Sequence, residues 1–135
     1  MAEFTFHHGG VSVPSLEEAI EWYGRVLGFE VERQFYIAAA QSRTAIVRKG
    51  ALRFEIFEVA DALPLPDDRR HPTRDVATHG NKHVAFRVED LGSFLLEMTD
   101  KRVDIAFVVR EEFGAGCFIR DCAGNLIEFV EEVVP

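Results

Sequence analysis

Lys82-His83-Val84-Ala85-Phe86-Arg87-Val88-Glu89-Asp90-Leu91 restates, at an offset of 75, the stretch His7-His8-Gly9-Gly10-Val11-Ser12-Val13-Pro14-Ser15-Leu16. The overlay sets His83 on His8, Val88 on Val13 and Leu91 on Leu16, and each copy reads as a strand entering a helix. A second pair follows at an offset of 73: Leu52-Arg53-Phe54-Glu55-Ile56-Phe57-Glu58 over Asn125-Leu126-Ile127-Glu128-Phe129-Val130-Glu131, which aligns Glu55 with Glu128 and Glu58 with Glu131. The chain is therefore two copies of one module, each with a histidine early and a glutamate late.

With 135 residues, 47% of them apolar and 12 of them Phe, the chain can bury one sizeable core. A single domain is expected. The longest apolar run, Val103 to Val109, is broken by Asp104 and too short to span a bilayer, and the N-terminus has neither the basic nor the apolar region of a signal peptide. A cytoplasmic protein is expected, with Cys117 and Cys122 reduced. The net charge of −8 repels phosphate backbones and anionic lipid, which argues against nucleic-acid or membrane partners.

Working outward in chain order, Phe4 to Val13 reads as a strand with His8, Gly10 and Ser12 on one face and Val11 and Val13 on the other, so that His7 points away from His8. Ser15 and Glu18 form a capping box that opens a helix with Leu16, Ile20, Tyr23 and Leu27 inward, and Gly28 is placed to stop it. Phe29 to Phe35, Thr44 to Arg48 and Leu52 to Val59 read as strands, the last two joined by a Lys49-Gly50 turn. The second half repeats this order. His83 to Val88 is a strand, Asp90 caps a helix with Leu91, Leu95 and Met98 inward, and Val103 to Val109, Cys117 to Arg120 and Leu126 to Val130 complete the set. A single domain over 5–133 is thus expected to contain βαβββ modules 5–60 and 81–133. The Pro-containing crossover 61–80 between them is either a lid or a solvated linker.

In the period-2 reading Val11, Val13, Phe54, Ile56, Val84, Phe86, Val88, Ile127 and Phe129 face the helices, leaving His8, Glu55, His83 and Glu128 on the opposite, concave faces. Two imidazoles and two carboxylates make a mixed N/O donor set suited to one divalent Zn, Ni, Co, Mn or Fe(II). Calcium would prefer all oxygen and Cu(I) would want sulfur. A lone strand histidine is more often a satisfied core or surface residue than a ligand; the repeat register is what favours these four. Glu58 and Glu131 fall on the other face and read as surface charges. His7, His71 and His79 have no repeat partner of their type, although His7 would replace His8 if the strand slipped by one residue.

His8 to Pro14, the helix ending Trp22-Tyr23-Gly24-Arg25-Val26-Leu27-Gly28-Phe29, Lys82 to Val88, and Phe118-Ile119-Arg120-Asp121-Cys122-Ala123-Gly124-Asn125-Leu126-Ile127-Glu128 together strongly resemble the glyoxalase, or vicinal oxygen chelate, superfamily. The resemblance covers nearly the whole chain. It implies an α+β fold in which two βαβββ modules form an eight-stranded incomplete barrel around a divalent metal, with His8, Glu55, His83 and Glu128 as ligands. One departure is Cys122-Ala123, where the family usually has Pro-Asp; it touches a turn and not the site.

The family's members share a metal that holds vicinal oxygens, which stabilises an enediolate or enolate and eases proton removal beside a carbonyl. The resemblance therefore implies a lyase, isomerase or epimerase of glyoxalase type, with Glu128, or by symmetry Glu55, as base. Alternatives are an extradiol Fe(II) dioxygenase and a non-catalytic antibiotic-binding, bleomycin-resistance-like protein. Substrate contacts are expected from Arg53 and Phe57 beside Glu55, from Arg87 beyond His83, and, by analogy with the family's pocket walls, from Gln41, Phe113 and Phe118. Proteins of this size in the family are usually dimers, so a homodimer is expected.

Overall fold

The computed structural model describes residues 1–112 and 114–132. The chain divides into two compact units, Met1–Leu63 and Pro64–Pro135, so most of the crossover belongs with the second. The last residue of the expected second module, 133, lies outside the described residues.

The first unit contains β1 (Gly9–Ser12), α1 (Leu16–Leu27), β2 (Glu30–Ile37), β3 (Ser42–Lys49) and β4 (Leu52–Val59). Its sheet has the order β1-β4-β3-β2, with β1 parallel to β4 and the other pairs antiparallel. Hairpin turns suffice between β2, β3 and β4, whereas strands on opposite edges need the crossing helix. In α1, Leu16, Ala19, Trp22, Tyr23, Val26 and Leu27 are buried. Tyr23, Phe29 and Phe54 pack together with ring centroids 5.2 to 6.1 Å apart, joining helix to sheet. Gly28 closes the helix at φ 77, in the left-handed region where a Cβ is penalised.

The second unit repeats the plan. After short helical turns at Asp67–Arg70 and Pro72–Asp75 come β5 (Val84–Arg87), α2 (Leu91–Asp100), β6 (Asp104–Glu111), β7 (Gly114–Arg120) and β8 (Leu126–Glu132). The sheet order is β5-β8-β7-β6, with β5 parallel to β8. Leu91 and Met98 are fully buried, and Phe94 joins them by packing on Phe129 with centroids 4.1 Å apart. Even the irregularities recur, a register shift between Val31 and Arg33 in β2 and another between Ile105 and Phe107 in β6. The eight strands thus form two four-stranded mixed sheets rather than a closed barrel, on the expected α+β, twice-βαβββ plan.

Three expectations need correction. The first strand does not run from Phe4 to Val13: it spans Gly9–Ser12, in a register that offers residues 4–6 no partner on β4, which begins at Leu52. His7 and His8 precede the ladder, so strand alternation does not govern them, and their rings lie edge to face with centroids 5.0 Å apart. Glu58 and Glu131 are not plain surface charges. Each carboxylate accepts from the first backbone N–H of a helix, Leu16 N at 2.6 Å and Leu91 N at 2.6 Å.

Candidate metal and substrate site

Each unit builds one imidazole–carboxylate pair by the same local rule. The ladder sets Gly9 opposite Phe54 in the first sheet and Val84 opposite Ile127 in the second. The histidine just before β1 or β5 lies beside the glutamate just after that partner residue. His8 Nε2 lies 3.5 Å from Glu55 Oε2, and His83 Nε2 lies 2.7 Å from Glu128 Oε2. The four side chains are between 18% and 35% exposed, open enough for a ligand to reach them.

The surroundings of the two pairs differ. His8 Nδ1 is 2.7 Å from His7 Nδ1, a contact the sequence reading missed, since it turned His7 the other way. His83 instead meets the ring of Phe118 edge to face, centroids 4.7 Å apart; Phe118 is the register partner of Glu128 on β7, and its counterpart beside Glu55 is the buried Ile46.

Neither Glu55 nor Glu128 pairs with a lysine or arginine among the described residues; the histidines are their ion-pairing partners. Nitrogen and carboxylate oxygen donors without a basic neighbour fit a divalent cation. Among the described residues no group of three or more His, Cys, Asp or Glu side chains is placed to hold a metal ion, so within each unit the donor set is the pair.

The expected substrate contacts separate into groups. Arg53 is taken by Glu32, with Nη2 at 3.1 Å, and this contact holds the Glu32 carboxyl below its ordinary value. Arg87 pairs with Glu132 at 2.9 Å, both exposed. Phe57 is half-buried on the face of Glu55, and a Cβ on Gly10 would touch its ring at 3.4 Å. Gln41, exposed at φ 51, closes the β2–β3 turn at the far end of β3 from Ile46. Phe113 lies outside the described residues.

The sequence matches the Glyoxalase/Bleomycin resistance protein/Dioxygenase superfamily over residues 5–129. The chain belongs to that superfamily. No curated protein matches this glyoxalase-superfamily chain significantly. Among solved structures it is similar to a glyoxalase family protein from Enterococcus faecalis, with 21% identity, coverage of 94% of this chain and 97% of that one, and a TM-score of 0.78. It is similar to the glyoxalase I of Leishmania major, described as trypanothione-dependent, at 18% identity, 96% and 88% coverage and a TM-score of 0.67. A genomically encoded fosfomycin resistance protein from Listeria monocytogenes matches at 12% identity, 98% and 97% coverage and a TM-score of 0.70. At these identities the likeness is one of fold.

Proposed function

We propose that this chain is a divalent-metal-dependent enzyme of lyase or isomerase type, acting on a small substrate with two adjacent oxygens. The observation that carries the reading is the pair of repeat-equivalent imidazole–carboxylate contacts, His8–Glu55 at 3.5 Å and His83–Glu128 at 2.7 Å. In this reading His8, Glu55, His83 and Glu128 hold Zn, Ni, Co, Mn or Fe(II), two donors from each unit. The bound ion would supply positive charge to the substrate oxygens and so acidify the neighbouring carbon.

The rest of the chemistry falls to the side chains. Glu128, or its counterpart Glu55, takes the proton from that carbon and returns it to the same or the adjacent carbon, the move common to epimerisation and isomerisation. Before the ion binds, His83 Nε2, within hydrogen-bond distance of Glu128 Oε2, holds that carboxylate in place. Phe118 shields one side of that pair from water, which strengthens the electrostatics there. Arg53 and Arg87, matched to Glu32 and Glu132, contribute to substrate binding only by exchanging those partners for an acid group.

Metal content measured by mass spectrometry on protein purified without added metal or chelator is the first test. Near-stoichiometric Ni, Co, Mn or Zn supports the reading, and Fe moves it toward dioxygenase chemistry. A folded protein that takes up no metal on titration sinks it and leaves a small-molecule-binding module. With metal present, Glu128→Gln is expected to keep most of the ion and to lose at least a hundredfold in deuterium exchange from heavy water into a panel of 2-hydroxy and 2-oxo carbonyl compounds, about the scale of one general base. Unchanged exchange would remove Glu128 from the base role.

A further inference from the structure

We propose that Asp75, in the crossover, is a positioning residue for His83. Residues 81–83 lie outside any helix or strand, and the β5 ladder starts only at Val84, so sheet pairing does not fix the backbone that delivers His83. The crossover fixes it instead. Lys82 Nζ donates to the backbone oxygen of Asp75 at 2.7 Å and to that of Thr78, and lies 3.5 Å from Asp75 Oδ1. Arg69 Nη2 donates to the backbone oxygen of Asn81 at 3.3 Å, while Arg69 Nε stands 2.6 Å from Asp75 Oδ1, an ionic contact not aligned as a hydrogen bond.

Both residues immediately before His83 are thus gripped, and both grips converge on one carboxylate. Asp75 is only 4% exposed, and a buried carboxylate is retained at such a place when its charge is matched, here by Arg69 and Lys82. The crossover is itself tied down in the same unit. Arg120 Nε donates to the backbone oxygen of Arg70 at 2.8 Å and Arg120 Nη1 holds Asp104 at 3.0 Å. The Arg70 guanidinium lies so close over Gly124 that a Cβ there would come within 2.8 Å of it.

The first unit provides the comparison. His7 stands in the position of Lys82, the residues before His8 are exposed, and among the described residues no ion-pair clamp like that of Lys82 holds them. The clamped histidine is the one within hydrogen-bond distance of its glutamate, at 2.7 Å against 3.5 Å. The outer shell of a ligand commonly sets its orientation, and here that shell is a buried salt-bridge cluster acting on the backbone.

This inference extends the proposed metal site, but its primary test uses the metal-free chain. Amide hydrogen exchange at Asn81 to Val84 and the imidazole nitrogen shifts of His83 would be compared in wild type, Asp75→Asn, Lys82→Met, Lys82→Arg and a control, Lys101→Gln, which removes the Lys101–Glu97 pair at the end of α2. Asp75→Asn and Lys82→Met should raise exchange at 81–84 roughly tenfold and shift the His83 signals away from their Glu128-bonded values. Lys82→Arg and Lys101→Gln should resemble wild type. Where Zn binds, its affinity should fall by about tenfold in the first two variants. Should Asp75→Asn not fold, Lys82→Met decides alone. Unchanged exchange, or raised exchange with unmoved His83 signals, overturns the positioning role. A wild type that binds no Zn overturns the metal reading while these two signals still decide the clamp.

Discussion

Cys117 and Cys122 show at the scale of single residues how burial separates two groups of identical chemistry. Cys117 lies fully buried on β7, and desolvation there pushes its thiol up to about 11, with the Glu128 charge adding to the rise. At neutral pH only about one molecule in ten thousand carries the reactive thiolate. Cys122 is exposed in the turn before β8, and the two are not joined. A thiol reagent in excess at pH 7 should therefore label one cysteine of the folded protein quickly and the second only on unfolding, read by intact mass. Two cysteines labelled at equal rates would contradict the packing around β7. The sequence placed the two cysteines correctly in strand and turn but could not rank them, because the difference comes from what packs over each. The same holds for Arg53: its face was legible, whereas Glu32, its partner, arrives from β2 beside a register shift that no alternation rule anticipates.

The two long helices are started by the same two-part device. Ser15 Oγ accepts from Glu18 N at 3.2 Å and Asp90 Oδ1 from Ser93 N at 2.9 Å, while Glu58 and Glu131, reaching over from the last strand of each sheet, take the first free N–H. The near half of this was readable, since a capping residue lies next to the helix it caps. The far half was not, because 42 and 40 residues separate the partners; the only signal was that Glu58 and Glu131 match under the repeat. Glu131→Ala is expected to lower unfolding stability by about 1 kcal/mol in urea denaturation, through a lost cap and a lost charge at the positive helix end. Glu132→Ala, one residue on and paired with an exposed arginine, should cost close to nothing; equal losses would deny the cap. A pH dependence follows from Asp90, whose carboxyl is held below its ordinary value chiefly by the Ser93 backbone N–H. A depressed folded pKa gives stability that is full above the unfolded value of about 4 and is lost as pH falls through the folded one. Acid titration of stability should therefore be shallower below about pH 4 in Asp90→Asn than in wild type.

At the scale of the whole molecule, the repeat carries nearly all that was legible: two βαβββ units, matching ladders and one histidine–glutamate pair in each. It could not reach what the copies do not share, such as Lys82 in place of His7, Phe118 in place of Ile46, or a crossover clamped by Asp75, since an unrepeated segment has no partner to check it against. The repeat also raises the question of how the two pairs cooperate. One imidazole and one carboxylate are a weak site for a divalent ion in water, whereas four donors reach the number usual for tetrahedral sites and leave positions open in an octahedral one. If the four act on one ion, His8→Ala and His83→Ala should each bring metal per chain from near one to near zero after gel filtration, despite the different surroundings of the two histidines. If the pairs act separately, each variant should keep about half of what the wild type binds, and the double variant none. Metal per chain by mass spectrometry, with circular dichroism to establish that each variant is folded, separates the two cases. Half-retention in both single variants would replace the shared four-donor site with two independent ones and would take with it the assignment of Glu55 and Glu128 to a common reaction.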